Sequence, residues 1–148
     1  MHINLDDLIN IDMNRANKRL QRLFFGTVLE KYKITVTEWR ALMHTYRKEP
    51  CHLRELARAS KLDPTPLSRA VRSMEKQNML ASGFDPGDAR RKVIFTSEKG
   101  RNLVETIWPE AVAYNKAVRE HVGPEAFDAL QAAAKLLQSM PPMNDKDH

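Results

Sequence analysis

A short basic hairpin, predicted between residues 79 and 96, constrains the fold of this 148-residue chain more than any other feature. Two runs with strand character, residues 79–84 and 92–96, flank it. The connecting segment, residues 85–91, contains strong turn formers and places arginines at its tip. Because a single hairpin is marginal on its own, it has to pack against the helices predicted on both sides.

The second strand and the helix after it have specific predicted features. Alternation along the strand places Val93 and Phe95 inward and Ile94 toward solvent. Thr96 is predicted to cap a long helix that follows, with a bend at Pro109.

A capping box marks the start of a helix well before the hairpin. Thr35 and Glu38 stand three residues apart, the spacing at which each side chain can bond the other residue's backbone N–H. We expect this helix to end at about Arg47, ahead of Pro50.

Two short helices joined by a tight turn lead directly into the hairpin. The first is predicted over residues 52–60, and the second begins at Asp63, a residue type that favours the N-cap. Pro64 falls at the first helical position, where a missing N–H costs nothing. Asn78 is expected to end the second helix in the left-handed conformation. Helical spacing buries Leu67, Ala70, Val71 and Met74 and turns Thr65, Ser68, Arg69, Arg72, Ser73 and Lys76 outward.

The two ends of the chain are predicted to be helical and partly to pack against another chain. Asn4 can cap a first helix of about twenty residues with Asp6 and Asp7 in its first turn. Its apolar stripe from Leu5 to Phe24 is longer than a small central domain could cover. A last helix follows Gly123 and Pro124, and residues 141–148 form a flexible tail. The stripe of that last helix contains Phe127, Leu130, Ala134 and Leu137.

Charge is concentrated in the middle of the sequence. Residues 47–101 contain thirteen Lys and Arg against seven Asp and Glu, a net charge of +6, whereas the whole chain carries +5. A basic centre between nearly neutral arms favours a central element that faces a polyanion. The alternative is a basic surface that is simply solvated.

Several classes of protein are not indicated by the sequence. The longest apolar run is four residues, against the roughly 20 that span a bilayer, and no secretory signal is expected. A single cysteine, Cys51, favours a reducing cytoplasm. Phosphate-loop, nucleophile-elbow and metalloprotease motifs are lacking, so neither catalysis nor a cofactor is expected. The histidines His44, His52 and His121 lack the tight spacing of a metal site.

The order of helices, turn and basic hairpin is that of a winged helix-turn-helix, and the residues resemble the MarR family of transcriptional regulators. The resemblance covers roughly residues 34–103 in motif and nearly the whole chain in helix order. The wing pattern, with Asp88 two residues before Arg90 and Gly100 four residues after Thr96, is the most specific part. The other matching segments are 34–42, 53–57, 62–63, 67–69, 74–76 and 85–90.

The resemblance implies an obligate homodimer that holds two DNA-binding lobes. Residues 1–33 and 102–140 would be the dimerisation helices, and residues 34–101 the DNA-binding lobe. Arg90 would enter the minor groove, with Asp88 accepting a hydrogen bond from its guanidinium. Lys61 stands where the family commonly has a turn glycine, and Pro66 removes a hydroxyl that often contacts DNA. The predicted DNA-binding residues are Thr65, Ser68, Arg69, Arg72, Lys76, Asp88, Arg90 and Arg91.

A ligand pocket between the dimer helices and the DNA-binding lobe is a further expectation from the family. It would take a small aromatic or carboxylate effector, held by Trp39, Met43 and Trp108 with Arg15 or Arg19 as the basic partner. The alternative interpretation of the two tryptophans and the methionine is ordinary core packing.

The sequence allows two interpretations of Cys51. Beside His52, Cys51 could be a thiol sensor, because a neighbouring imidazolium lowers a thiol pKa. An inert cysteine is the alternative.

The sequence therefore predicts a mainly α protein with a small β-hairpin wing and N- and C-terminal dimerisation helices. Its predicted function is a cytoplasmic, ligand-responsive repressor that binds double-stranded DNA as a homodimer at an inverted repeat. The alternative is a winged helix that binds proteins without specific DNA binding.

Overall fold

A computed structural model of the chain describes residues 8–141 and is mainly helical, with one two-stranded antiparallel sheet. In chain order the elements are α1 (Ile9–Phe24), α2 (Val36–Lys48), α3 (Leu53–Ser60), α4 (Pro64–Lys76), β1 (Leu80–Asp85), β2 (Asp88–Thr96), α5 (Glu98–Val122) and α6 (Pro124–Gln138). A π-helical turn, Phe25–Leu29, and a 3-10 turn, Glu30–Tyr32, follow α1. The chain divides into two compact units, with the boundary after Ala111 inside α5. The predicted fold class is confirmed.

Helix ends in the central lobe follow the local sequence closely. Thr35 and Glu38 form the predicted capping box at the start of α2, with the Glu38 backbone N–H donating to Thr35 Oγ1 at 3.1 Å. Asp63 is the N-cap residue of α4, although its side chain makes no capping hydrogen bond, and Pro64 is the first helical residue. Asn78 has a φ of 58° and Lys61 a φ of 54°. Both therefore end their helices in the left-handed region, Lys61 doing so without the glycine that usually stands there.

The hairpin differs from its prediction in length and in the faces of β2. Its turn is only Pro86 and Gly87, because β2 already begins at Asp88 rather than at residue 92. Val93 is buried as expected, but Ile94 is buried at 3% exposure and Phe95 is 37% exposed, the reverse of the expectation for these two residues. The cause is a bridge on the other edge of β2, where the Ile94 and Cys51 backbones exchange hydrogen bonds of 2.8 and 3.1 Å.

The start of α5 also corrects the sequence prediction. Thr96 does not cap this helix: it ends β2, is buried, and donates both its backbone N–H and its hydroxyl to the Glu49 carboxylate. Ser97 is the cap, since its Oγ accepts the Gly100 N–H at 3.0 Å. A Cβ at Gly100 would lie 2.0 Å from the Met79 carbonyl oxygen, so the first turn of α5 can pack here only around a glycine.

The core of the first unit lies where α2, α4, the hairpin and the first half of α5 meet. Its fully buried side chains come from α2, α3, α4, the first half of α5 and the segment that joins α1 to α2. Tyr32 ties the 3-10 turn to α5 by donating to Glu110 at 2.6 Å. The largest of the fully buried side chains are Leu29, Ile34, Leu42, Leu56, Leu67, Met74 and Ile107.

Two of the predicted dimerisation helices, α1 and α6, are poorly covered within a single chain. No residue of α1 is buried, and Leu136 of α6 is 71% exposed, whereas Phe127 is buried. Pro109 lies in the interior of α5, at the predicted bend. Asn4, Leu5, Asp6, Asp7 and residues 142–148 lie outside the described residues. Within the described range, no helix has the length and apolar character needed to cross a bilayer.

Candidate nucleic-acid interface

One face of α4 is buried and the opposite face carries polar and basic side chains. Leu67 and Met74 are fully buried and Ala70 and Val71 are 5% exposed, so the helix is fixed against the core. On the other face Ser68 is half-buried, and the remaining predicted contact residues are exposed: Thr65, Arg69, Arg72 and Lys76. A helix of this length can enter the major groove of DNA with that face foremost.

The buried carboxylate of Glu38 fixes α4 to the start of α2. It accepts the Thr35 N–H at 2.8 Å, the Ser73 hydroxyl at 2.5 Å and the Gln77 side-chain amide at 3.4 Å. Ser73 therefore turns inward, contrary to the outward position that helical spacing predicts. This positioning role of Glu38 was missed, because the capping box accounts for the residue without any tertiary contact.

The tip of the wing is a bulge that contains the predicted arginines. Phe84 pairs with Lys92 and Asp85 pairs with Asp88, so residues 89–91 have no partner on β1. The Asp88 carboxylate accepts the backbone N–H of Arg90 at 3.0 Å, and no ion pair joins it to the Arg90 guanidinium among the described residues. Asp88 thus shapes the backbone of the bulge, in place of the expected side-chain pair, and Arg90 and Arg91 extend freely.

Contacts to α3 and α4 hold the wing. His52, the N-cap residue of α3, places Nε2 3.0 Å from Asp85 Oδ2 and Nδ1 3.1 Å from the Lys92 carbonyl. Lys92 Nζ in turn lies 3.3 Å from Glu75 on α4. The turn is closed by the Gly87 N–H, which donates to Asp85 Oδ1 at 2.8 Å. The wing is therefore positioned relative to α4 before any ligand arrives.

The basic residues of this surface are not neutralised by the protein. Within residues 8–141, none of the ion pairs involves the predicted DNA-binding cations, namely Arg69, Arg72, Lys76, Arg90 and Arg91. Unpaired cations along one helix face and one hairpin tip produce the positive potential that attracts phosphates.

A cavity of about 560 Å³ lies in the first unit between α2 and α5. It brings together two of the predicted ligand residues, Met43 and Trp108, and Trp108 is 52% exposed. Burial, helped by the charges of Arg40 and Arg47, lowers the pKa of His44 and so favours a neutral imidazole there. The lining residues are Met43, His44, Tyr46, Arg47, Val104, Glu105, Trp108 and Pro109.

The other predicted ligand residues do not line this cavity. Trp39 is 4% exposed and belongs to the core. Arg15 and Arg19 lie on the exposed surface of α1, and Arg15 is 3.7 Å from Asp12. The basic residue at the cavity is instead Arg47, which the sequence pattern did not single out because it lies at the predicted end of α2.

The surroundings of Cys51 disfavour its reactive thiolate form. It is buried, and burial, followed by the charge of Glu55, raises its pKa, although a hydrogen bond with Thr45 acts in the opposite direction. The neighbouring imidazole of His52 is engaged with the wing. The part of the chain that the structure describes contains no group of three or more His, Cys, Asp or Glu that could hold a metal.

Comparison with known proteins identifies the lobe that contains α2–α4 and the wing tip. A family model described as the MarR family matches residues 32–91. Over this part, the chain is similar to the MarR family. This confirms the resemblance found in the sequence and covers each of the predicted DNA-binding residues.

Two individual relatives are named as transcriptional regulators. The chain is 28% identical over 105 residues to the uncharacterized HTH-type regulator YhbI of Bacillus subtilis, covering 71% of this chain and 66% of that protein. It is 31% identical over 86 residues to the transcriptional regulator AdcR of Streptococcus pyogenes, covering 58% of this chain and 57% of that one. The alignments thus span less than two thirds of each relative.

Structural similarity to known proteins covers more of the chain than these sequence alignments do. A solved structure of Bordetella bronchiseptica BpsR superposes with a TM-score of 0.86 over 95% of this chain and 100% of that chain, at 19% identity. That structure describes how 6-hydroxynicotinic acid regulates DNA binding by BpsR.

Proposed function

We propose that this chain is a sequence-specific, double-stranded DNA-binding repressor of transcription that acts as a homodimer at an inverted repeat. The observation that carries the proposal is the pairing of a core-anchored α4, whose cationic face is free, with a wing whose tip presents Arg90 and Arg91. Arginine can hold guanine O6 and N7 in the major groove and can enter a narrow minor groove. The proposal places the protein in the cytoplasm and assigns it no catalysed reaction.

Symmetry determines the form of the proposed operator. A two-fold dimer presents two copies of α4, so the preferred site is an inverted repeat with half-site centres about one helical turn, 10 to 10.5 bp, apart. Arg69 is exposed on the first half of α4, the part of such a helix that contacts base edges.

Selection of bound duplexes from a random pool tests this function. We expect an inverted repeat whose complex survives competition by a scrambled duplex at about 150 mM salt, where non-specific binding is weak. Arg69→Ala should cost about 1–3 kcal/mol and relax selectivity at one position in each half-site. The exposed Lys116→Ala, on α5 and remote from α4 in sequence, is the matched loss of one charge and should bind as the wild type does. If no duplex is enriched, the protein-interaction alternative replaces this proposal.

We further propose that a small aromatic carboxylate in the α2–α5 cavity weakens DNA binding. The cavity supplies an indole face from Trp108 and a cation from Arg47, which has no acidic partner among the ion pairs of residues 8–141. Regulation of BpsR by 6-hydroxynicotinic acid supports this class of effector.

Titration with a panel of aromatic carboxylates, 6-hydroxynicotinic acid among them, tests the effector proposal. We expect quenching of tryptophan fluorescence together with release of the selected duplex. Arg47→Gln should weaken the response to the acids. The Trp108→Phe variant should lose most of the quenching while it still releases DNA. An acid that quenches Arg47→Gln as strongly as wild type would remove Arg47 from the site.

A further inference from the structure

Phe84, on the wing, is the most exposed large hydrophobic side chain among the described residues. It is 76% exposed, whereas Phe95 on the same hairpin is 37% exposed and lies against Gly83. The sequence pattern assigns Phe84 no function beyond its place in the first strand, and packing gives it no role in the core.

The backbone around this exposed ring is anchored on both strands of the hairpin. Its neighbour Asp85 is held by His52 and by the Gly87 N–H. Its cross-strand partner Lys92 is held through its carbonyl by His52 and through its ammonium by Glu75. The ring is thus carried on a rigid frame, so ordering it against a partner costs little entropy.

Phe84 lies on the face of the hairpin that turns toward α4. Directly opposed residues project to the same face of an antiparallel pair, and Lys92, opposite Phe84, reaches Glu75 of α4. Ser82, two residues before Phe84 and so on the same face, also donates to Glu75. The ring therefore occupies the stretch of wing between α4 and the bulge at residues 89–91.

We infer that Phe84 is an apolar contact to the deoxyribose backbone of bound DNA, at the strand that separates the major groove from the neighbouring minor groove. The inference rests on the proposed function, because it takes α4 to lie in the major groove and Arg90 in the minor groove. Between those two grooves a duplex presents sugars flanked by phosphates. An apolar ring beside Arg90, Arg91 and Lys92 matches that surface, since the ring covers sugar C–H groups while the cations attract the phosphates.

A sugar contact has a thermodynamic signature that differs from a phosphate or base contact. Phe84→Ala removes apolar area and no charge, so the salt dependence of binding should keep its slope while affinity falls. The loss should be equal for every operator variant, since sugars carry no sequence information. We expect about a tenfold weaker complex, the scale of a partly buried aromatic side chain.

The experiment measures affinity for the selected operator across a salt series and maps sugar accessibility by hydroxyl-radical footprinting. Phe84→Ala should weaken binding about tenfold at an unchanged salt slope and should expose one or two sugars per half-site that wild type protects. Phe84→Leu should recover part of the loss. Phe95→Leu, on the opposite face of the hairpin, is the matched control and should match wild type in affinity and footprint.

The outcomes separate this inference from the proposed function. If wild type binds its operator and Phe84→Ala binds equally well with the same footprint, the sugar contact is wrong and Phe84 is free for a protein partner, while DNA binding stands. If Phe84→Ala lowers the salt slope or changes sequence selectivity, the ring acts through the neighbouring arginines and the inference is also overturned. If wild type enriches no duplex, the proposed function fails and this inference fails with it.

Discussion

The side chain of Arg90 is exposed and its charge remains available to bind a partner. Its backbone N–H is held by Asp88, while its guanidinium forms no ion pair within residues 8–141. The protein therefore positions Arg90 through the backbone of the bulge and leaves its charge available.

Arg90→Ala should leave folding intact and weaken DNA binding. An exposed side chain with no partner adds less than about 1 kcal/mol to stability, so the thermal midpoint should stay constant. Affinity should fall most for operators with A·T-rich flanks, whose narrow minor groove attracts an inserted arginine, and Arg90→Lys should restore only part of it. Equal affinity of wild type and Arg90→Ala across flanks of different composition would remove the wing tip from recognition.

Asp88→Ala should produce a weaker form of the same defect. It removes the hydrogen bond to the Arg90 N–H, so the bulge loses order while the cation remains. Titration against the same set of flanks measures the difference, and a loss as large as that of Arg90→Ala would mean that Asp88 does more than shape the bulge.

Cys51 should react slowly in the folded protein. Burial, reinforced by the Glu55 carboxylate, raises its pKa, so the thiolate fraction at neutral pH falls. We expect a chromogenic disulfide to react at least about a hundredfold more slowly with native protein than with protein unfolded in urea, because only transient opening exposes the thiol. Cys51→Ser provides the blank. Prompt reaction of the native protein would reinstate the thiol-sensor interpretation.

At the scale of elements, the contact between the β1 start and the first turn of α5 fixes the wing to the long helix. Ser97 caps α5 and also donates to the Asn78 carbonyl at 2.6 Å. Gly100 allows the backbone at Met79 to approach the helix. Ser97 and Gly100 together therefore join the start of β1 to the first turn of α5.

Gly100→Ala should be strongly destabilising, and Gly26→Ala should not. The added methyl group at Gly100 would lie 2.0 Å from a backbone oxygen, whereas at Gly26 it would meet nothing within 4 Å. We expect a loss of about 3 kcal/mol for the first and a change between zero and a gain of about 1 kcal/mol for the second, where alanine restricts the unfolded chain. Urea denaturation measures both. Similar stability of the two variants would show that the backbone at Met79 shifts to accommodate the added methyl group at little cost in free energy.

At the scale of the whole molecule, exposed apolar side chains occur at both ends of the described chain. Ile9 of α1 is 65% exposed, and Leu136 and Leu137 of α6 are 71% and 50% exposed. Apolar surface of this kind is typical of helices that pack against a partner subunit. It supports the proposed homodimer.

Light scattering should therefore give about twice 17.0 kDa at micromolar concentration. Leu136→Asp should shift the protein toward the monomer, because it places a charge on the proposed buried face. Lys48→Asp, a charge change at the exposed end of α2 and outside the predicted dimerisation helices, should leave the dimer intact. A wild-type monomer that stays soluble and folded would contradict both the dimer and the inverted repeat.

The sequence by itself determined the features that depend on neighbouring residues along the chain. The Thr35–Glu38 box, Pro64 at the first helical position and the left-handed Asn78 all follow from local hydrogen bonds or backbone preference. The amphipathic face of α4 is local in the same sense, since helical spacing alone separates Met74 from Arg72.

The tertiary structure decided whatever depends on a partner distant in sequence. Ile94 is buried because Cys51 pairs with its backbone, and Thr96 leaves the cap to Ser97 because Glu49 accepts its hydrogen bonds. Ser73 turns inward to Glu38, and the cavity takes Arg47 from α2 rather than an arginine from α1. Periodicity defines which side of an element is apolar, but only packing decides which atoms from distant segments lie within a hydrogen bond of each other.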